Sequence, residues 1–253
     1  MILVKSKRCS TEKLLREFPN VVICDVTSHA SDELVKLSPF YPHGGIPVPF
    51  SPGWTAMSVE AVWQGLKVFE SEGVDTSVFR NETMKNLKRT QKRFGRTLGH
   101  QKGVNGKEML GYVEARKRIY LPVYLWVLEH KAAAAVERLR ELARTHTLIL
   151  LDYNTNPDVE DASSPLSHAS LIKAYLEGAY PACDRIDTAA PLPSDEESRT
   201  VATEEDLREG MRVKHPALGE GTVKSVDGIK VIVAFDSAGT LTLIIRLAKL
   251  QVL

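Results

Sequence analysis

From Ala182 to about Asp206 the chain loses its apolar periodicity. "ACDRIDTAAPLPSDEESRTVATEED" is acidic, holds Pro, Ser and Thr, and repeats no apolar face that could be buried. Such a stretch cannot offset the entropy of ordering its own backbone, so it reads as a linker and obliges the chain to fold as two bodies. The organisation expected is a domain over 1–182, an acidic flexible linker over 183–206 and a small domain over 207–253. No internal repeat joins the two.

Both bodies have ordinary soluble composition. Hydrophobic residues make up 43% and charged residues 26%, and the net charge is +1. Bulk electrostatics therefore favour no partner, and any affinity for phosphate must come from a local patch. The opening "MILVKSKRCS" is too short in apolar residues for a signal peptide, and no run approaches the roughly 18 apolar residues of a membrane span. Cys9, Cys24 and Cys183 are odd in number and form no metal-type pair. The expectation is a cytoplasmic protein with no membrane partner, no metal and no cofactor.

In the first body "MILVKS" and "NVVICDVTS" read as short strands flanking a helix, "STEKLLREF", capped by Ser10. The loop "LSPFYPHGGIPVPFSPGW" has too many prolines for regular structure, while its aromatics suggest that it packs down. "ETMKNLKRTQKRFG" reads as a helix ending at Gly95. "YVEARKRIYLPVYLWVLEHKAAAAVERLRELA" is the longest helical stretch, and Pro122 should kink or divide it. "HTLILLDYN" is a buried strand, and "SPLSHASLIKAYLEG" is a helix ending at Gly178.

The segment "SVEAVWQGLKVF", Ser58 to Phe69, reads as a helix that is apolar almost all round. Glu60, Gln64 and Lys67, at i, i+4 and i+7, share one narrow stripe. It is either the solvent side of an amphipathic helix or a site. The flank opposite the main apolar face is also apolar, and an aromatic loop of the kind that closes over pockets precedes it. A carboxylate, an amide and an ammonium in line supply an acid or base, an orienting group and a cation or nucleophile. At 1.5 Å rise per residue Glu60 and Lys67 lie about 10 Å apart along the axis, room enough to bracket a sugar.

No acid lies between Glu82 and Glu108, where Lys85, Lys88, Arg89, Lys92, Arg93, Arg96, Lys102 and Lys107 are all basic. This is either a solvated helix face or a phosphate-binding one, for a pyrophosphate or a nucleic-acid backbone. Trp126 suits the core or a stacking platform. Asp152 closes an apolar strand, as a functional residue or as a cap. His43 and His100 lie in Gly-containing loops within reach of a ligand, and His168 has no Ser and Asp partners at any known triad spacing.

"KLSPFYPHGGIPVPFSPGWTAMSVEAVWQGLKVF" resembles the opening signature of the NADAR (YbiA-like) family. Ser38, Phe40, Tyr41 and Pro42 match its "LSNFYP"-like turn. Ser58, Val59, Glu60, Gln64 and Lys67 match its "P-[ST]-V-E-x-x-[YF]-Q-x-x-K" helix, with Trp63 at the aromatic position. "RTLGHQKG" and the long helix after it also resemble the family, whereas "LLDYNTNPDVEDASSPLSHASLIKAYLEG" replaces its closing segment.

The resemblance implies a hydrolase of N-glycosidic bonds acting on riboflavin-pathway intermediates or on ADP-ribosylated guanine in nucleic acid. It implies Glu60 and Lys67 as catalytic residues. Phe40, Tyr41, Trp63, Gln64, Arg96, His100, Trp126 and Asp152 are the expected substrate contacts. The contrasting class is a non-enzymatic adaptor, in which the basic helix and the tail together hold nucleic acid or polymerase and the stripe is free to stay open to solvent.

The tail "GMRVKHPALGEGTVKSVDGIKVIVAFDSAGTLTLIIRLAKLQVL" shows short β-rich runs between Gly turns, with a hairpin signal at Asp227-Gly228. Gly210, Val213, His215, Pro216, Gly219, Gly221 and Val223 match the pattern of the Tudor-like barrel that ends UvrD/PcrA-type helicases, and Ala248 and Leu250 match its closing segment. That resemblance implies contact with RNA polymerase or nucleic acid. The fold class expected for the whole is α+β: a mainly helical YbiA-like domain with a few short strands, then a small all-β barrel.

Overall fold

The computed structural model describes residues 1–186, 207–215, 218–245 and 250–252. The expected linker from 187 onward, and the motif positions Pro216 and Ala248, lie outside the described residues. The chain divides into two compact units, Met1–Ala190 and Pro191–Leu253, and is mixed α and β.

In chain order the first unit runs β1 (Ile2–Ser6), α1 (Thr11–Glu17), β2 (Val21–Asp25), β3 (Ile46–Pro47), β4 (Thr55–Ala56), α2 (Val59–Gly65), β5 (Lys67–Phe69), α3 (Gln91–Phe94), β6 (Thr97–Gln101), β7 (Met109–Leu110), α4 (Tyr112–Ala115), α5 (Leu121–His130), α6 (Ala133–Thr145), β8 (Thr147–Asp152) and α7 (His168–Leu176). Short 3-10 turns lie at Glu33–Leu37 and Thr76–Arg80.

Its organising layer is a parallel sheet in the order β1-β8-β2. The central β8 is buried on both faces, which is why "TLILLD" reads as an unbroken apolar run rather than an alternation. Leu148 and Leu150 point into the main core, while Ile149 and Leu151 pack under Leu14 of α1. Ser10 caps α1 through its Oγ, which accepts from the Lys13 amide at 3.3 Å. Because the strands are parallel, their carboxyl ends open on the same side, and this decides where the site can form.

Three expectations for this unit are corrected. The "ETMKNLKRTQKRFG" helix shrinks to the four residues of α3. Asn81 takes the Thr83 amide and hydroxyl on its side-chain oxygen and donates to the Lys85 carbonyl, offering the backbone an alternative to a helical turn. Asn86 then adopts φ +59°, which no helix tolerates. The 112–143 stretch is interrupted near Pro122, as expected, and what corrects the reading is a second interruption further on. Pro122 has no N–H for the Arg118 carbonyl, and the chain accommodates it with a π-helical turn over Arg116–Tyr120 between α4 and α5. A further break at Lys131–Ala132 precedes α6 with no Gly or Pro to announce it. Finally, the Pro-rich loop is not wholly irregular, since Ile46 and Pro47 pair antiparallel with Ala56 and Thr55.

The second unit is an antiparallel sheet of β9 (Arg212–His215), β10 (Gly219–Asp227), β11 (Lys230–Phe235), β12 (Gly239–Ile244) and β13 (Gln251–Val252), in the order β12-β11-β10-β9-β13. Val213, Val223, Val231, Val233 and Phe235 form its core. The Asp227-Gly228 hairpin is present, with Asp227 opposite Lys230. Gly221 is required by close approach, because a Cβ there would lie 2.7 Å from the Ala234 carbonyl oxygen.

Candidate active site

The site is built around α2. Ser58 caps the helix, its Oγ accepting from the Ala61 amide at 3.0 Å. Four residues apart, Gln64 donates from Nε2 to Glu60 Oε1 at 2.9 Å, and Gln64 Oε1 accepts from the Arg89 amide at 3.0 Å. Both side chains are buried, Glu60 at 8% and Gln64 at 5% exposure, so the stripe is not a wet helix face.

The helix stops at Gly65 rather than reaching Phe69, which corrects the expected i, i+4, i+7 stripe. The carbonyls that a longer helix would satisfy internally are taken by tertiary donors instead. The Asp75 amide reaches Gly65, the Gln101 amide reaches Leu66, and Arg89 Nη1 reaches the Gln64 and Lys67 carbonyls. With its end satisfied, the chain turns into β5, where Lys67 pairs with His100 of β6. Lys67 therefore comes from a strand, and the helical spacing that placed it about 10 Å along an axis from Glu60 does not apply. Gly65 permits the arrangement because a Cβ there would run into the Phe79 ring.

The carboxyl ends of β1, β2 and β8 and the start of α7 face α2 across a cleft of about 530 Å³. Ligands of open α/β sheets bind at such strand ends. Arg8 follows β1, Thr27 and Ser28 follow β2, and Asp152, Tyr153 and Asn154 close β8. Phe40, Trp63, Tyr112, Tyr120 and Tyr153 give the walls aromatic faces. The side-chain cations of Arg8, Lys67 and Lys88 form no hydrogen bond or ion pair among the described residues, although Lys88 lies over the Phe40 ring at 5.7 Å.

Burial pushes the Glu60 carboxyl up, and the Gln64 amide and the charges of Lys88 and Lys67 only partly oppose it. Burial pushes the Lys67 ammonium down, against the pull of Glu60 and with the help of Arg89 and Lys88. Asp152 behaves differently. Burial acts to raise it, but His168 Nδ1 at 2.9 Å, the Ser167 hydroxyl at 2.8 Å and the Ala169 amide at 3.3 Å outweigh burial and hold it below the usual carboxylate range. His168 Nε2 meets the Val26 carbonyl at 2.9 Å. Ser167 therefore bonds Asp152 rather than His168, and the three do not form a nucleophilic relay.

Glu60, Gln64, Lys67, Phe40, Trp63 and Asp152 all line the cleft. Four expected contacts do not. Tyr41 sits against His43 at 4.7 Å. Arg96, with its side chain 75% exposed, pairs with Glu70 at 3.2 Å, because the short α3 cannot carry it toward the cleft. Trp126 stacks on its neighbour His130 and packs against the core. His100 is fully buried behind Trp63 at a ring separation of 3.8 Å, and burial with the nearby Lys67 charge pushes it down to about 3.

Sequence reasoning missed Arg8, Tyr112, Arg116 and Tyr120 as cleft residues, and it named Lys88 and His168 without placing them beside Glu60. Arg116 is 2% exposed and donates to the Val159, Asp161 and Ser164 carbonyls, pinning the loop between β8 and α7 over the cleft. Its one sequence signal was its place within two turns of Pro122, since π-turns that accommodate such breaks often line functional sites.

The arrangement can donate a proton from Glu60, present an amine or a cation at Lys67, stack a flat ring and hold negative charge. Among the described residues no group of three His, Cys, Asp or Glu could hold a metal ion, and no helix is long and apolar enough to cross a membrane. No curated protein matches this chain. Residues 6–172, a span that takes in every cleft residue, match the model described as "Family of unknown function (DUF6939)", and the chain belongs to that family.

Proposed function

We propose that the first unit is a hydrolase that cleaves the N-glycosidic bond between a ribose, as in ADP-ribose, and a base. One observation carries the reading: Glu60 and Lys67, shifted toward each other from opposite ends of the titration range, line one aromatic-walled cleft. Environments that move two groups in opposite senses separate an acid from a nucleophile.

In this scheme Glu60 gives its proton to the departing base nitrogen, and the Lys67 amine attacks the anomeric carbon as the carbon–nitrogen bond breaks. Of the two protons on the attached Lys67 nitrogen, one passes to the Glu60 carboxylate and the other to the ring oxygen as its bond to the anomeric carbon breaks, leaving an imine and an open-chain sugar. Water adds to the imine, releases the sugar and restores the amine. Gln64 orients Glu60 through the 2.9 Å bond. The aromatics suit a base, and the unpartnered cations suit a diphosphate. This cleft also agrees with the NADAR-like signature in the sequence. An adaptor has no need of a buried stripe, so the burial of Glu60 and Gln64 favours the enzyme.

The test is incubation with ADP-ribosylated guanine in single-stranded DNA and, in parallel, with riboflavin-pathway intermediates. Release of free ADP-ribose by the wild-type chain, lost in Glu60→Gln, is expected. Borohydride should trap a sugar on Lys67. No release from either substrate class ends the reading. For the second unit we read the sheet as an adaptor for polymerase or nucleic acid. A chain cut at Ala190 that retains full turnover but loses capture by such a partner is the expected outcome.

A further inference from the structure

A second pocket of about 360 Å³ adjoins the cleft, and Lys88 lines both. We propose that this pocket, walled by Lys88, Arg89, Thr90 and Arg93, is a subsite for a phosphoryl group of the ligand whose ribose sits in the cleft. The inference deepens the nucleotide reading above and rests on it.

Arg89 supplies a fixed charge. It is 6% exposed, and its guanidinium is held by the carbonyls of Gln64 at 3.1 Å, Lys67 at 2.6 Å and Gly73 at 2.7 Å. Its buried Nε finds no hydrogen-bond acceptor among the described residues. Lys88 and Arg93 bring two further cations with no carboxylate partner among the described residues, Arg93 lying over the Phe94 ring at 4.9 Å.

One carboxylate, Asp75, lines the pocket. Its Oδ1 accepts from the Ser77 amide at 3.0 Å and hydroxyl at 2.6 Å, and its Oδ2 lies 4.0 Å from Arg89 Nε. Asp75 is thus set against Arg89, and the charges of Lys88 and Arg93 are left for an anion. The Thr90 hydroxyl enters no hydrogen bond among the described residues, so its O–H can donate beside them. The same Arg89 amide that holds Gln64 ties the pocket to Glu60, so an occupied subsite also steadies the proposed acid.

Two sources offer the same chemistry: the ligand's own diphosphate, or the neighbouring phosphodiester of a polynucleotide. The test is fluorescence anisotropy with the Glu60→Gln chain, so that binding is read without turnover. The probes are a labelled single-stranded oligonucleotide, labelled ADP-ribose and labelled adenosine, which has no phosphate. Arg93→Glu should weaken at least one phosphate-bearing probe about tenfold and, where that probe is the oligonucleotide, reduce its log–log salt slope by about one, leaving adenosine unchanged. Arg93→Lys should restore binding, and unchanged melting of both variants separates the effect from folding.

Loss for the oligonucleotide alone assigns the backbone phosphodiester, and loss for ADP-ribose as well assigns the ligand's own phosphates. Equal affinity of Arg93→Glu and parent for every probe overturns the proposal, as does failure of the parent to bind either phosphate probe. Arg93-dependent binding without hydrolysis would leave this subsite standing while the glycosidase reading fell. Hydrolysis with Arg93-independent binding would do the reverse.

Discussion

Glu60 and Asp152 are both buried carboxylates on the wall of one cleft, and burial alone would raise both. They diverge because of the donors around them. Glu60 receives one amide hydrogen bond from Gln64, whereas Asp152 receives His168, Ser167, and the amides of Tyr153 and Ala169. A carboxylate fully surrounded by donors is stable as an anion and poor as an acid, while a buried one left nearly unsatisfied holds its proton to a higher pH than usual. In the proposed scheme the contrast gives the chemistry to Glu60, while the bonds of Asp152 to Ser167, His168 and Ala169, and of His168 to the Val26 carbonyl, tie β8, α7 and the end of β2 together at the cleft floor.

The largest effect should come from Glu60→Gln, which removes the proton and keeps the shape. Turnover should fall by about 10²–10⁴ with little change in melting temperature. A variant as active as wild type would erase the distinction. Asp152→Ala should do the opposite. It leaves His168 Nδ1 without its partner, and removing one member of a buried pair costs about 3–5 kcal/mol, read by urea unfolding. Gly65→Ala should cost about 1–3 kcal/mol, because the Phe79 ring must move to admit a methyl group.

The pH dependence sharpens the comparison. The folded-state value of Glu60 lies above its ordinary 4.5, so the native state holds a proton that the unfolded chain has shed, and its contribution to stability falls as pH rises through that window. Asp152 lies below its ordinary 3.8, so its contribution is complete above that value and is lost as pH falls through the folded one. Unfolding of wild type and Glu60→Gln from about pH 4 to pH 7 should therefore converge toward the acid end, while Asp152→Asn should approach wild type only below about pH 4. Parallel curves would refute the opposite shifts. The smallest effect belongs to Arg96→Ala, which breaks one exposed ion pair and should leave turnover and melting unchanged.

Where a signal is local, it could be read from the chain. β1, α1, β2 and β8 follow from β-branched runs and the Ser10 cap, and the Glu60–Gln64 pair follows from four-residue spacing on one helix. The basic run failed as a helix because Asn81 and Asn86 compete with it through side-chain bonding and a left-handed turn that composition does not weight. Lys67 changed element because carbonyl partners from residues 75, 89 and 101 end α2 early. His168 found its acid 16 residues away on another element, so no motif spacing could show it.

By itself, then, the sequence determined the break between two bodies, the buried strand, the cap at Ser10 and the acid–amide spacing of Glu60 and Gln64. These depend on propensity, periodicity and neighbours within a turn or two. Only the tertiary structure decided that Lys67 would be a strand residue, that Arg116 and the tyrosines would close the cleft, and that Asp152 rather than Glu60 would be saturated with donors. Each of those outcomes rests on hydrogen bonds between residues far apart in the chain, and such partners are chosen by packing rather than by spacing.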